Sequence, residues 1–184
     1  MNEDPSICVE CGLCCDGALY EHAKVAPGEE ERMVAAGLDL FDVGSHRMFR
    51  QPCPQSNCGR CMIYETRFAI CHSFECKLLK TLKAGECSFA EAQAKIVEAK
   101  QLLGKAVAAD PQARSAAGRK VIRKNLADAV ADPACRNSGN SASRLLAIVA
   151  VDTFLKRWFR LGHEQQSEDS ASVSGPSRPD SGSP

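Results

Sequence analysis

What most constrains this chain is the placement of its cysteines: of 11 in 184 residues, all but Cys135 lie before residue 88. The chain opens with Cys8-Val-Glu-Cys11-Gly-Leu-Cys14-Cys15, and a second group follows at Cys53, Cys58, Cys61, Cys71 and Cys76. The total is odd and two of the cysteines are adjacent. The N-terminus MNEDPSICVE carries acids where a secretory leader carries bases, and it runs into cysteines instead of an apolar stretch. The expected compartment is therefore cytoplasmic and reducing, where a disulfide framework is the weaker reading and metal ligation the stronger.

Two thiolates three positions apart reach one metal from a tight turn. A glycine just after them adopts the positive φ that turns backbone N–H groups toward sulfur. Cys8 to Cys11 and Cys11 to Cys14 both have that spacing, so three chelating positions follow one another. Cys15 is harder to place, because adjacent side chains point apart. It ligates a second metal, bridges within a polynuclear site, or is a small buried hydrophobe. Cys53, Cys58 and Cys61 carry the spacing of plant-type ferredoxins, with further thiols beyond them. A structural zinc closes at four ligands, so this many thiolates imply two zinc sites or a cluster. Gathering them without metal costs Coulomb repulsion, whereas structural zinc contributes roughly 10–16 kcal/mol in small finger-type peptides, so folding of this half should depend on metal. Arg60, Arg67 and Lys77 stand among the cysteines, either offsetting their charge or serving as ordinary surface charges. Thiolates suit zinc and iron alike, which leaves the metal open.

CVECGLCC, then CMIYETR, then CHSFEC resemble the CxxCxxCC family of zinc- or iron-chelating bacterial proteins, the YkgJ-like cysteine-cluster proteins, over roughly residues 8 to 80. This chain has Arg67-Phe68 where the family pattern has Arg-Pro, and Cys58 is an addition to the usual set. The resemblance implies that Cys8, Cys11, Cys14, Cys15, Cys53, Cys61, Cys71 and Cys76 are the metal ligands, with Cys58 an optional further one. It also implies a metal-binding role, structural or redox, through zinc or an iron or iron–sulfur centre. A flagellin lysine N-methylase in the same family gives a metal-cluster enzyme acting on a protein side chain as the alternative, and exposed thiolates give a metal chaperone or sensor as another. His72, between Cys71 and Cys76, is either a ligand or a polar loop residue. Cys87, Cys135, His22, His46 and His163 stand apart from any spaced partner and are read as inert.

The expected fold is mainly α: a small irregular Cys-rich metal-binding region over 1–84, a helical region of about three helices over 85–162 packing on it, and a disordered tail over 163–184. In the first region the pattern predicts a helix over Gly28 to Ala36, a short extended piece at Met62-Ile-Tyr64, and a helix from about Phe68 to Leu82 with Cys71 and Cys76 near its start. Ser88-Phe-Ala-Glu91 is a capping box. Phe89, Ala92, Ile96, Ala99, Leu103 and Val107 then draw one apolar stripe to Asp110-Pro111. Further helices are expected over 113–131 and 141–161, the last gathering Ile148, Val151, Leu155, Trp158 and Phe159. From Glu164 the sequence turns to Ser, Pro, Gly and acids, with little to bury.

Formal net charge is zero, so no global attraction to nucleic acid or anionic lipid is expected. The bases Arg114, Arg119, Lys120, Arg123 and Lys124 read first as a solvated helix side. The longest apolar run, Leu145 to Val151, falls far short of the roughly 20 residues of a membrane span. No glycine-rich cofactor loop, nucleophile elbow or phosphate loop is present, which leaves the metal ion as the expected partner and any enzymatic activity undecided.

Overall fold

The strongest local signal of the sequence begins a long helix where expected. Ser88 Oγ accepts from the Glu91 N–H at 3.2 Å, while the Glu91 carboxylate accepts from the Ser88 N–H at 2.7 Å, closing the reciprocal box. In the computed structural model, which describes residues 7–109 and 141–161, helices dominate, joined by two small antiparallel sheets. In chain order the elements are α1 (Ile7–Cys11), β1 (His22–Lys24), α2 (Glu30–Ala35), β2 (Leu40–Val43), β3 (His46–Arg50), β4 (Ser56–Asn57) and β5 (Arg60–Cys61). Then come α3 (Ala69–Ser73), α4 (Lys77–Lys83), α5 (Phe89–Ala109) and α6 (Ser141–Trp158). The helix expected over 113–131, the basic residues on it, Cys135 and the expected tail lie outside the described residues.

α5 and α6 pack along each other, and α4 and α1 lie against α5. The apolar stripe of α5 buries Ala92, Ile96, Ala99 and also Ala106, with Leu103 and Val107 half-buried beside them. Phe89 at its start is exposed, although Ala92 in the same turn is fully buried. Ile148, Val151, Leu155 and Phe159 of the α6 segment are buried as expected, and Trp158 is half-buried under the Lys95 ammonium, 4.9 Å from its ring centroid. Val151, Leu155, Phe159 and Trp158 join Ile7, Leu13, Leu19, Leu78 and Leu79 in a first hydrophobic cluster. Met33, Leu38, Phe49 and Phe68 form a second.

Three expectations for the Cys-rich region need correction. It is less irregular than expected, since β1, β3 and β2 form an antiparallel sheet in that order. Its hairpin is legible after the fact: Val43 pairs His46 across a two-residue Gly44-Ser45 loop, with Gly44 at φ +57°. Met62-Ile-Tyr64 is a turn, because strand β5 ends at Cys61 and the chain curls to place Ile63 on the second cluster. The single helix over 68–82 is two. Cys76 has extended backbone at the N-cap of α4, and Phe74 leaves the end of α3 to stack edge-on against Tyr20, with ring centroids 5.3 Å apart. Hydrophobic demand outweighs helix continuity here: Phe68 and Ile70 belong to the second cluster, Phe74 and Cys76 to the first. The α2 helix falls within the predicted 28–36 span.

Candidate metal centre

The opening cysteines are placed by a helix that stops abruptly. Cys8 and Cys11 lie three apart on α1 and so share a face. Gly12, at φ +67°, takes the left-handed conformation that ends the helix. The next turn is tightly bonded, with the Asp16 N–H on the Gly12 carbonyl at 2.9 Å and the Gly17 N–H on the Cys14 carbonyl at 3.1 Å. It carries Cys14 back toward Cys8 and Cys11, while Cys15 meets Cys53, Cys61 and Cys71. Gly12 also faces the backbone of Gly59: a Cβ on Gly12 would fall 2.4 Å from the Gly59 oxygen. The opening motif therefore lies directly against the hairpin of the second group.

That hairpin, β4–β5, turns through Cys58 at φ +48° and Gly59 at φ +80°, the pair of positive φ values of a type I′ turn. Asn57 pairs Arg60 and Ser56 pairs Cys61. The Ser56 N–H donates to the Cys53 carbonyl at 3.0 Å, and the Cys53 N–H donates to the Cys15 carbonyl at 2.7 Å. Cys15, Cys53 and Cys61 are thus linked by backbone alone. Cys71 sits on α3, whose first N–H, that of Ala69, donates to the Glu29 carboxylate at 2.9 Å. Cys76 is buried in the first cluster, against which Cys11 and Cys14 also pack. None of the described cysteines is in a disulfide; Cys8, Cys58 and Cys71 are exposed, and the other predicted ligands are buried or half-buried.

Electrostatics sorts these thiols. Burial pushes Cys11 up to about 12, with Cys76 and Cys8 raising it further and Lys100 opposing them. Cys14 is half-exposed as a residue, yet its thiol is held well above the usual range, first by desolvation and then by Cys76, Cys11, Cys15 and Cys8. Burial likewise takes Cys15 to about 12, with Cys53, Cys61 and Cys71 adding to it. Cys71 reaches about 12 through desolvation, Cys53, Cys61 and Glu29, with Arg67 opposing. Cys53 is raised by burial and by Cys61. Burial also raises Cys76; the N–H groups of Leu79 and Leu78 face its sulfur and pull the other way, without forming a cap hydrogen bond of ordinary geometry. Buried thiols this close together stay protonated unless a cation joins them.

No protein family, curated protein or solved structure matches this chain.

Of the predicted ligands, all eight lie around the α1 turn, the β4–β5 hairpin and the two short helices that follow it. Among the described residues, no group of three or more His, Cys, Asp or Glu side chains forms a cage that holds a metal ion as it stands. The donor set fits zinc or iron by type, since soft thiolates are what those metals take from proteins. Cys58 is displayed at the hairpin tip, and Cys87, beside Glu91 and Glu86, packs half-buried against the first cluster. His72 is exposed on α3. Arg67 lies beside Cys71, with Nε on the Cys71 carbonyl at 3.3 Å and its guanidinium over the Tyr64 ring. Sequence reasoning missed Lys100, whose ammonium bonds the Glu10 carbonyl and lies beside Cys11 and Gly59. Nothing in the spacing points to a residue so far along the chain. No described helix is long and apolar enough to cross a membrane.

Proposed function

We propose that this chain is a metal-binding protein in which the thiols of Cys8, Cys11, Cys14, Cys15, Cys53, Cys61, Cys71 and Cys76 hold zinc or an iron or iron–sulfur centre, in a structural or electron-carrying role. The observation that carries the reading is the meeting of cysteines far apart in sequence. Cys53 is hydrogen-bonded to Cys15 through the backbone, and Cys76 shares a buried cluster with Cys11 and Cys14. Without metal these thiols stay protonated, and a thiophilic cation takes them by displacing their protons and neutralising the thiolates that result. Arg67 and Lys100 supply positive charge beside Cys71 and Cys11. The same proposal includes a reducing, cytoplasmic setting, in which cysteines persist as thiols instead of pairing as disulfides. It also includes a helical bundle, of which α5 and α6 are the described members, as the support of the centre.

A metal chaperone or sensor is the second reading. It is favoured by the exposure of Cys8 and Cys71, and by an open cleft of about 450 Å³ along Val9 and residues 60–66 that borders Cys61. Anaerobic purification followed by metal and acid-labile sulfide analysis tests the main reading. Colourless protein with stoichiometric zinc indicates structural sites; brown protein with sulfide indicates a cluster. Protein that folds and carries neither defeats it. A centre that gives up its metal to a competing chelator within seconds would favour the second reading over the first.

A further inference from the structure

We propose that the eight thiols form two separate four-thiolate centres, Cys8, Cys11, Cys14 and Cys76 in one and Cys15, Cys53, Cys61 and Cys71 in the other, divided at the peptide bond between Cys14 and Cys15. Each takes one thiophilic divalent ion or one iron–sulfur cluster. The inference rests on the metal-binding reading and adds how many centres there are and which thiol belongs to which.

The backbone makes the division. Cys8 and Cys11 share a face of α1, and Cys14 returns to that end of the helix across the Gly12 turn. Cys76 comes to the same place from the N-cap of α4, and its buried neighbours Leu13, Leu78 and Leu79 belong to the first hydrophobic cluster, as do the surroundings of Cys11 and Cys14. The other four are gathered by different elements. The Cys53 N–H on the Cys15 carbonyl and the pairing of Ser56 with Cys61 draw three of them together, and α3 brings Cys71 from a segment whose Phe68 and Ile70 pack on the second cluster. The break between α3 and α4 has a purpose in this arrangement. Cys71 and Cys76 five apart on one continuous helix would be held in a fixed relation, whereas the extended residues between them let one serve each cluster.

The mutual influence of the thiols follows the same line. Cys76 and Cys8 act on Cys11; Cys53, Cys61 and Cys71 act on Cys15; Cys53 and Cys61 act on Cys71. Across the divide, Cys15 acts on Cys14, its neighbour in the chain. The thiols that act on Cys14 and those that act on Cys15 are otherwise different, which two neighbouring ions accept and one shared four-ligand ion does not. Four thiolates complete a tetrahedral zinc or a four-cysteine iron–sulfur cluster, so the two sets use all eight and leave Cys58 at its hairpin tip outside both. Neither set is closed as it stands, so binding draws the sulfurs inward, and each thiol that binds gives its proton to solvent. Each set contains one exposed member, Cys8 or Cys71, through which an ion enters.

The test is a cobalt(II) titration of the full chain, purified anaerobically and stripped of metal. Thiolate-to-cobalt absorption should saturate at about two equivalents, as two tetrahedral sites require, with the magnetic moment per cobalt unchanged between the first and the second. In Cys14→Ser and in Cys15→Ser, one equivalent should keep its wild-type affinity while the other weakens by more than about tenfold. Saturation at one equivalent, or well beyond two, overturns the division. So does a moment that falls as the second ion enters, since that signals a shared sulfur, or a single variant that weakens both equivalents alike. If either variant fails to fold, the stoichiometry and moment of the wild-type chain still decide. Absence of any cobalt binding by folded protein overturns the metal reading itself.

Discussion

The N–H of Lys77 donates to the carbonyl of Phe159 at 3.0 Å, so the residue after Cys76 is pinned to the chain leaving α6. The Phe159 ring is fully buried in the cluster that holds Cys76. The end of the last described helix is thereby part of the wall behind the first set of thiols, although more than eighty residues separate the two in sequence.

Phe159→Ala should remove that wall while leaving the backbone hydrogen bond available. A fully buried aromatic ring lost to alanine costs about 3–5 kcal/mol. Denaturant unfolding at fixed metal load measures it, and a loss below about 1 kcal/mol would show that the ring is not packed as described.

Gly12→Ala and Gly28→Ala separate backbone strain from collision. Both glycines have positive φ, +67° and +82°, so each substitution incurs the left-handed cost of about 1–2 kcal/mol. Only at Gly12 does the new Cβ meet immovable atoms, the Gly59 oxygen and Cα at 2.4 and 2.6 Å; at Gly28 nothing lies within 4 Å. The Gly12 variant should therefore be the less stable by about 2 kcal/mol or more in thermal melts. Equal losses would mean that the hairpin does not lie against the end of α1.

In the metal-free chain, desolvation raises the thiols of Cys11 and Cys15, and that of Cys71 although the residue is exposed, from 9.0 to about 12. A group whose pKa is higher in the folded state binds its proton more tightly there. Its contribution to stability is complete below pH 9 and is lost as pH rises toward 12. Unfolding midpoints of the stripped protein should fall steadily above about pH 9, and alanine at all three positions should flatten that fall. A flat profile in the unsubstituted protein would mean that these thiols are solvated.

Asp152 anchors the end of α6. Desolvation works against its charge, but hydrogen bonds from Lys156 and Arg160 outweigh it and hold the carboxyl below its usual 3.8. Arg160 Nη1 lies 2.6 Å from Asp152 Oδ1, and Nη2 reaches the Ala18 carbonyl at 3.4 Å. A depressed pKa gives stability that is present above 3.8 and is lost as pH falls through the folded value. Asp152→Asn should cost about 1–3 kcal/mol at neutral pH, with the gap to the unsubstituted protein closing below about pH 4. A gap that is constant with pH would assign the loss to packing.

Much of this protein is written locally. The Ser88–Glu91 box, the 3.6-residue stripes of α5 and α6, and the short α2 follow from residues within one or two turns of each other, and so they are legible without a fold. The types and spacings of the thiols are equally local. Tertiary structure alone decided how those thiols are grouped, that the expected 68–82 helix breaks at Phe74, and that Lys100 lies beside Cys11. Each depends on which hydrophobic cluster a side chain joins once the chain has closed on itself. That competition among distant partners carries no signature in the spacing of neighbouring residues.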